Sequence, residues 1–312
     1  MTDATSRSSA ERERQLALDA LHIVGSLPEP AYEDIVKVAA AVCGTPMALV
    51  TLIDRDRQWF KARTGVDGSQ TERNVAVCDH AIREPDRLME IGDLQRDSRF
   101  VDNPVLKELG ARFYAGMPLV TAEGSPIGSV CVVDLQPREL NPAQRDALKA
   151  LARLTMALME ARSREREHVV SEILNQSLEA GPVAEDAAVC AAAAGYTVVI
   201  IELQDMDALV ARHGERGLDR HLQALDQKLD ACLDAHRGDS INRVTGSGEF
   251  IAVLGVPEAP ETLQALQAVA AEVRHTLQAQ LLIGSAATHS GEPTSQVFQR
   301  AEQSLSQAKD AV

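Results

Sequence analysis

Between Pro142 and Gly181 the chain contains neither proline nor glycine, and Asn141 followed by Pro142 is a helix start, with Asn as cap and Pro at the first helical position. A helix of about 35 residues would span about 50 Å, more than a domain of ordinary size needs within itself. Such a helix near the middle of 312 residues predicts two domains, one on each side. Apolar Leu148, Leu151, Leu154 and Leu158, then Val169, Ile173 and Leu174, recur at three- and four-residue spacing, interrupted by the charged run Ser163 to His168. This spacing predicts a short parallel coiled coil between two copies of the chain, hence a homodimer through the helix. The alternative is a surface helix packed on its own domain.

The charge narrows the partners. The net charge is −15, and −11 of it falls on residues 166 to 312. That field repels a phosphate backbone, and with only 3% aromatics there is little to stack on bases, so no nucleic acid is expected. A protein partner of the acidic second half is open. The longest apolar run, Ala187 to Ile201, is shorter than the roughly 18–20 residues a membrane helix needs, so no membrane span is expected. No apolar signal core follows the polar start, whose residues 1–15 are expected to be flexible. The cysteines Cys43, Cys78, Cys131, Cys190 and Cys232 are scattered, without a CxxC pair. They predict free thiols in a cytoplasmic protein and no bound metal.

Before the long helix, Arg12 to Val24 and Ala31 to Cys43 have helical spacing. Two hairpins follow, Met47–Asp54 with Gln58–Thr64 and Arg112–Thr121 with Ile127–Asp134, which predict a largely antiparallel sheet. After it come an Ala-rich helix over 184–194 and the continuously apolar strand Tyr196–Leu203. Helices at 218–235, 260–279 and 295–311 alternate with strands at 240–244, 249–256 and 281–287. The fold class is α/β in the broad (α+β) sense: two domains, each a mostly antiparallel sheet with helices, joined by a long helix.

The first domain (16–140, with 141–180 as connecting helix) resembles the GAF family. The resemblance is carried by LVTLIDRDRQWFKARTG (49–65), VCDHAI (77–82), IGDLQRDSRFVDNP (91–104), RFYAGMPLVTAEGSPIGSVCVVD (112–134) and the exit helix from Leu140, and spans about residues 16–160. It implies a sensor for a small molecule or partner, of unspecified identity. Trp59, Cys78, His80, Asp93, Arg112 and Tyr114 lie on segments that line the family's pocket; packing roles stay open for each. The family's bilin binders have adjacent Cys and His, which Cys78 and His80 are not, so the resemblance implies no covalent chromophore.

The second domain (184–312) resembles the GGDEF family of diguanylate cyclases in degenerate form. Glu202 stands where the family's first strand has a metal-binding Asp, Asp207 where it has a phosphate-contacting Lys, and Val210 where an Asn reads guanine. The signature is matched by Gly246, Ser247, Gly248, Glu249 and Phe250. Asp219 and Lys309 are retained as parts of a vestigial nucleotide site.

The resemblance implies that two GTP molecules are cyclised around Mg²⁺, which takes hard carboxylate oxygens. Gly248 has no side chain at the signature's metal-binding position, and Asp207 replaces attraction for phosphate by repulsion. Val210 offers no hydrogen bond to guanine, which costs about 1–3 kcal/mol when a polar edge is buried against it. Catalysis is therefore not expected, and no cofactor; Mg²⁺ enters only on the reading of a divergent cyclase that uses Glu202 and Glu249. A third reading is a non-catalytic receptor for GTP or cyclic di-GMP, with Arg237 and Asp239 near the family's inhibitory Arg-x-x-Asp site, although neither frame of AHRGDS supplies both partners. No Ser-His-Asp set, phosphate loop or HExxH motif is present.

Overall fold

The computed structural model describes residues 2–179, 195–244, 247–257, 259–289 and 291–311. The chain divides into two compact units that meet in sequence at Ser163 and Arg164. The Ala-rich helix expected over 184–194, with Cys190, lies outside the described residues, as does Gly246.

The first unit is built on one antiparallel sheet of β1 (Met47–Ile53), β2 (Arg57–Thr64), β3 (Gln70–Glu72), β4 (Met89–Ile91), β5 (Phe113–Val120) and β6 (Pro126–Asp134), in the order β3-β2-β1-β6-β5-β4. The two predicted hairpins are β1–β2 and β5–β6, and β1 joins them by pairing with β6. Every residue of β1 is buried, because both faces are covered. Strand alternation sorts its side chains. Ala48, Val50 and Leu52 enter a core with Tyr32, Ile35, Val36 and Ala39 of α2 (Pro30–Cys43) and with Leu148, Ala152, Met156 and Met159 of α5 (Pro142–Glu179). Met47, Leu49 and Ile53 enter a second core with Val77 and Cys78 of α3 (Val77–Ala81), edged by Leu106 and Leu109 of α4 (Pro104–Leu109).

Residues 2–19 form one helix, α1 (Thr2–Asp19), where the sequence suggests a flexible start to residue 15. Polar anchors account for the difference. Arg14, 5% exposed, donates to the Ile53 carbonyl at 2.6 Å, and Gln15 donates to Asp54 at 2.9 Å. Arg73 bonds Glu11 at 2.7 Å and Asp79 at 2.8 Å. Apolar periodicity does not register such a docking.

Asn141 and Gln144 start α5 as a reciprocal capping box, both bonds 3.0 Å. Of the residues expected to form an interchain seam, Leu148 is buried in the first unit and Ile173 and Leu174 in the second, whereas Leu154 is half exposed.

The second unit carries an antiparallel sheet of β7 (Thr197–Leu203), β8 (Ser240–Arg243), β9 (Glu249–Leu254) and β10 (Leu281–Ala287), ordered β10-β7-β9-β8. Its helices are α6 (Met206–His213), α7 (Glu215–Asp230), α8 (Pro260–Leu277) and α9 (Thr294–Asp310). Val198 and Ile200 pack with Val170, Ile173 and Leu174 of α5 and Ala301 and Leu305 of α9, while Val199, Ile201 and Leu203 on the other face are also buried. Among the described residues no helix is long and apolar enough to cross a membrane.

Candidate functional site

A cavity of about 320 Å³ lies in the first unit between the sheet and the α3 and α4 segments. Leu49, Phe60 and Val133 from the sheet, Val77 from α3 and Leu106 and Leu109 from α4 make it largely apolar. A few polar groups converge on it, as in sites that hold small molecules. Gln58 is 7% exposed, lines the cavity, and its Oε1 has no hydrogen-bond partner. Tyr114 donates its hydroxyl to Cys78 Sγ at 3.2 Å, and the Cys78 and Cys131 sulfurs are 3.8 Å apart. The ring can lie there because residue 116 is glycine: a Cβ on Gly116 would stand 2.2 Å from the Tyr114 oxygen.

The hydrogen bond with Cys131 lowers the Cys78 thiol pKa against burial, aided by the hydroxyls of Ser129, Thr51 and Tyr114. The same bond, with burial, raises Cys131. Burial, with the neighbouring thiols, raises Tyr114 well above the usual phenol value.

Of the six residues singled out from sequence, Cys78 and Tyr114 line this cavity and the other four do not. Trp59 projects from β2 into the opposite core, beneath α2, since adjacent strand residues face opposite sides. His80 meets Phe100 edge to face at 4.8 Å. Asp93 caps the turn at Gln95 and holds Arg112 by two bonds of 2.8 and 2.7 Å, a structural clamp. Gln58 and Cys131 were not singled out as pocket residues. Nothing local marks Gln58, because β2 also carries Arg57, Lys61 and Arg63.

In the second unit, Glu202 and Glu249 stand opposite each other across β7 and β9, and each has its own base. Arg166 of α5 forms a two-bond pair with Glu249, its Nε 2.7 Å from Oε2, and reaches Glu302 at 3.2 Å. Lys309 lies 2.9 Å from Glu202, which also accepts from Gln204 at 2.6 Å. Gly248 is closed in: a Cβ there would lie 2.9 Å from Met206 Sδ and 3.1 Å from Leu203 Cβ, and the Gly248 carbonyl accepts from Leu203 N–H at 2.9 Å.

These residues do not fit Mg²⁺. Gly248, which the resemblance puts at the metal-binding position, has no carboxylate, a side chain there would have to displace Met206 and Leu203, and both nearby glutamates are engaged by cations. Among the described residues no three His, Cys, Asp or Glu side chains are grouped to hold a metal. Asp219 is exposed on α7. Arg237 pairs with Asp234 at 3.2 Å, and Asp239 accepts from the backbone of Gly255 and Asp234 at 2.9 and 3.1 Å, so both serve the local turn.

Comparison with known families matches residues 28–158 to the GAF domain and residues 173–312 to the diguanylate cyclase GGDEF domain. The chain is a GAF domain followed by a GGDEF domain. A cyclic di-GMP phosphodiesterase of Pseudomonas aeruginosa is 42% identical over 151 residues, which cover 47% of this chain and 25% of that protein. The GAF–GGDEF chain thus spans about a quarter of that relative's length. Among solved structures, the blue-light absorbing form of the Thermosynechococcus elongatus PixJ GAF domain aligns at 15% identity and TM-score 0.38, covering 52% of this chain and 94% of that one. The GAF domain of an Acinetobacter phosphoenolpyruvate-protein phosphotransferase aligns at 14% identity and TM-score 0.35, covering 50% and 95%. The two-domain architecture supports a place in cyclic di-GMP signalling.

Proposed function

We propose that the GAF–GGDEF protein senses a small molecule in its GAF cavity and passes the signal through α5 to a GGDEF domain that does not cyclise GTP. That domain acts by dimerisation or by holding a partner protein or a nucleotide. The observation that carries this reading is Gly248, enclosed by Leu203 and Met206 where a metal-binding carboxylate would have to stand. The engagement of Glu202 by Lys309 and of Glu249 by Arg166 supports it.

For the sensor half, the apolar cavity and the unpartnered Gln58 oxygen favour a compact apolar ligand carrying one N–H or O–H donor. A ligand of this kind would favour one of two packings of α5, a population shift rather than a chemical step.

Titration calorimetry of the full chain with GTP and Mg²⁺, and separately with cyclic di-GMP, tests the output half. No heat with GTP is expected. Saturable binding of either nucleotide without turnover would identify the domain as a receptor, whereas sustained heat from GTP turnover would overturn the reading.

A further inference from the structure

We infer that Cys78 and Cys131 form a peroxide-reactive thiol pair inside the GAF cavity, which a small hydroperoxide converts to an intramolecular disulfide. The inference uses the same cavity as the proposed ligand but needs no reversible ligand there, and is independent of the second domain.

Three observations carry it. The two sulfurs face each other at 3.8 Å although 53 residues separate them in sequence, one on α3 and one on the central strand β6. Both are 2% exposed to bulk solvent yet both line the cavity, so only a molecule small enough to enter reaches them. The Tyr114 hydroxyl, 3.2 Å from Cys78 Sγ, donates to that sulfur and would stabilise it as a thiolate, the reactive form. To bond, the sulfurs must close from 3.8 Å to about 2 Å.

Two other described cysteines lack this arrangement. Cys43 is buried in the opposite core, where burial pushes its thiol up to about 11. Cys232 follows α7 in the other unit, with its sulfur on the Lys228 carbonyl.

The chemistry balances. The Cys78 sulfur attacks one peroxide oxygen; an S–O bond forms, the O–O bond breaks, and the leaving oxygen departs as alcohol or water with the thiol proton. The Cys131 sulfur then attacks the Cys78 sulfenic acid; the S–S bond forms, the S–O bond breaks, and water leaves with the Cys131 proton. Two thiols give up two electrons, and one hydroperoxide accepts them.

The test treats reduced full-length protein with hydrogen peroxide, and in parallel with cumene hydroperoxide, then blocks remaining thiols with N-ethylmaleimide after denaturation. Non-reducing peptide mapping is expected to show one cross-linked peptide joining Cys78 to Cys131, removed by dithiothreitol. Cys131→Ser should instead trap a dimedone-reactive sulfenic acid at Cys78. Tyr114→Phe, which keeps the ring, should slow cross-linking by about tenfold, the loss of one hydrogen bond to a charged sulfur. If both cysteines remain fully maleimide-labelled in the treated wild-type protein, or oxidation falls first on other cysteines, the inference is overturned without recourse to any variant.

Discussion

Glu249 and Arg166 face each other through two hydrogen bonds at a point where their side chains are 4% and 7% exposed. The glutamate belongs to the signature strand and the arginine to α5, so the strand is fastened to the connecting helix through a buried charge. Removing Arg166 strands the Glu249 charge out of water, and removing Glu249 leaves Arg166 with the single bond to Glu302; loss of a buried charge partner costs about 3–5 kcal/mol. Glu249→Ala or Arg166→Ala should therefore strongly lower the urea midpoint of the second unit, while Arg166→Met with Glu249→Leu should recover most of the loss. An unshifted midpoint in either single variant would contradict the assignment.

Restoring a carboxylate at the signature should not restore an enzyme. In Gly248→Asp the new Cβ meets Met206 and Leu203 at contacts that force neighbours to move, an overpacking that costs about 1–3 kcal/mol. Thermal unfolding should show a lower second transition, with GTP turnover at background. A stable, active variant would show that the pocket opens readily.

Acid should release the first helix. Burial alone would raise the Glu11 pKa, but hydrogen bonds from Arg14 and Arg73 hold it down at about 2 instead of 4.5. A depressed folded pKa contributes stability that is present above the unfolded value and lost as pH falls toward the folded one. Hydrogen-exchange protection over residues 2–19, taken relative to intrinsic exchange at each pH, should fall from about pH 4.5 downward, and Glu11→Gln should weaken docking already at neutral pH. Equal protection of the wild type at about pH 3 and at neutral pH would contradict this.

Gln58 should cost stability while serving binding. An unpaired buried oxygen costs about 1–3 kcal/mol, so Gln58→Met should hold or raise the melting temperature of the first unit. It should also abolish any ligand-induced rise in that temperature found in a small-molecule screen. A variant that melts lower and keeps the rise would remove Gln58 from the site.

Both hairpins and the long helix were legible from the sequence, because turn residues and the Asn-Pro start mark their ends locally. The cavity was less so. β1 and β2 are buried on both faces, so no polar alternation distinguishes the side of Trp59 from that of Phe60. Arg166 was hidden for a related reason: it sits in a charged run that looks like an interruption of the apolar spacing, and only tertiary structure shows it buried. That Gly248 and Val210 depart from the GGDEF pattern is an expectation from the sequence, whereas the enclosure of Gly248 by Leu203 and Met206 is visible only in the tertiary structure.

The most direct measurement incubates full-length protein with GTP and Mg²⁺, then with Mn²⁺, and resolves the nucleotides by anion-exchange chromatography. The account predicts that GTP is recovered intact under both conditions. Accumulation of cyclic di-GMP would contradict it and make the protein a divergent cyclase.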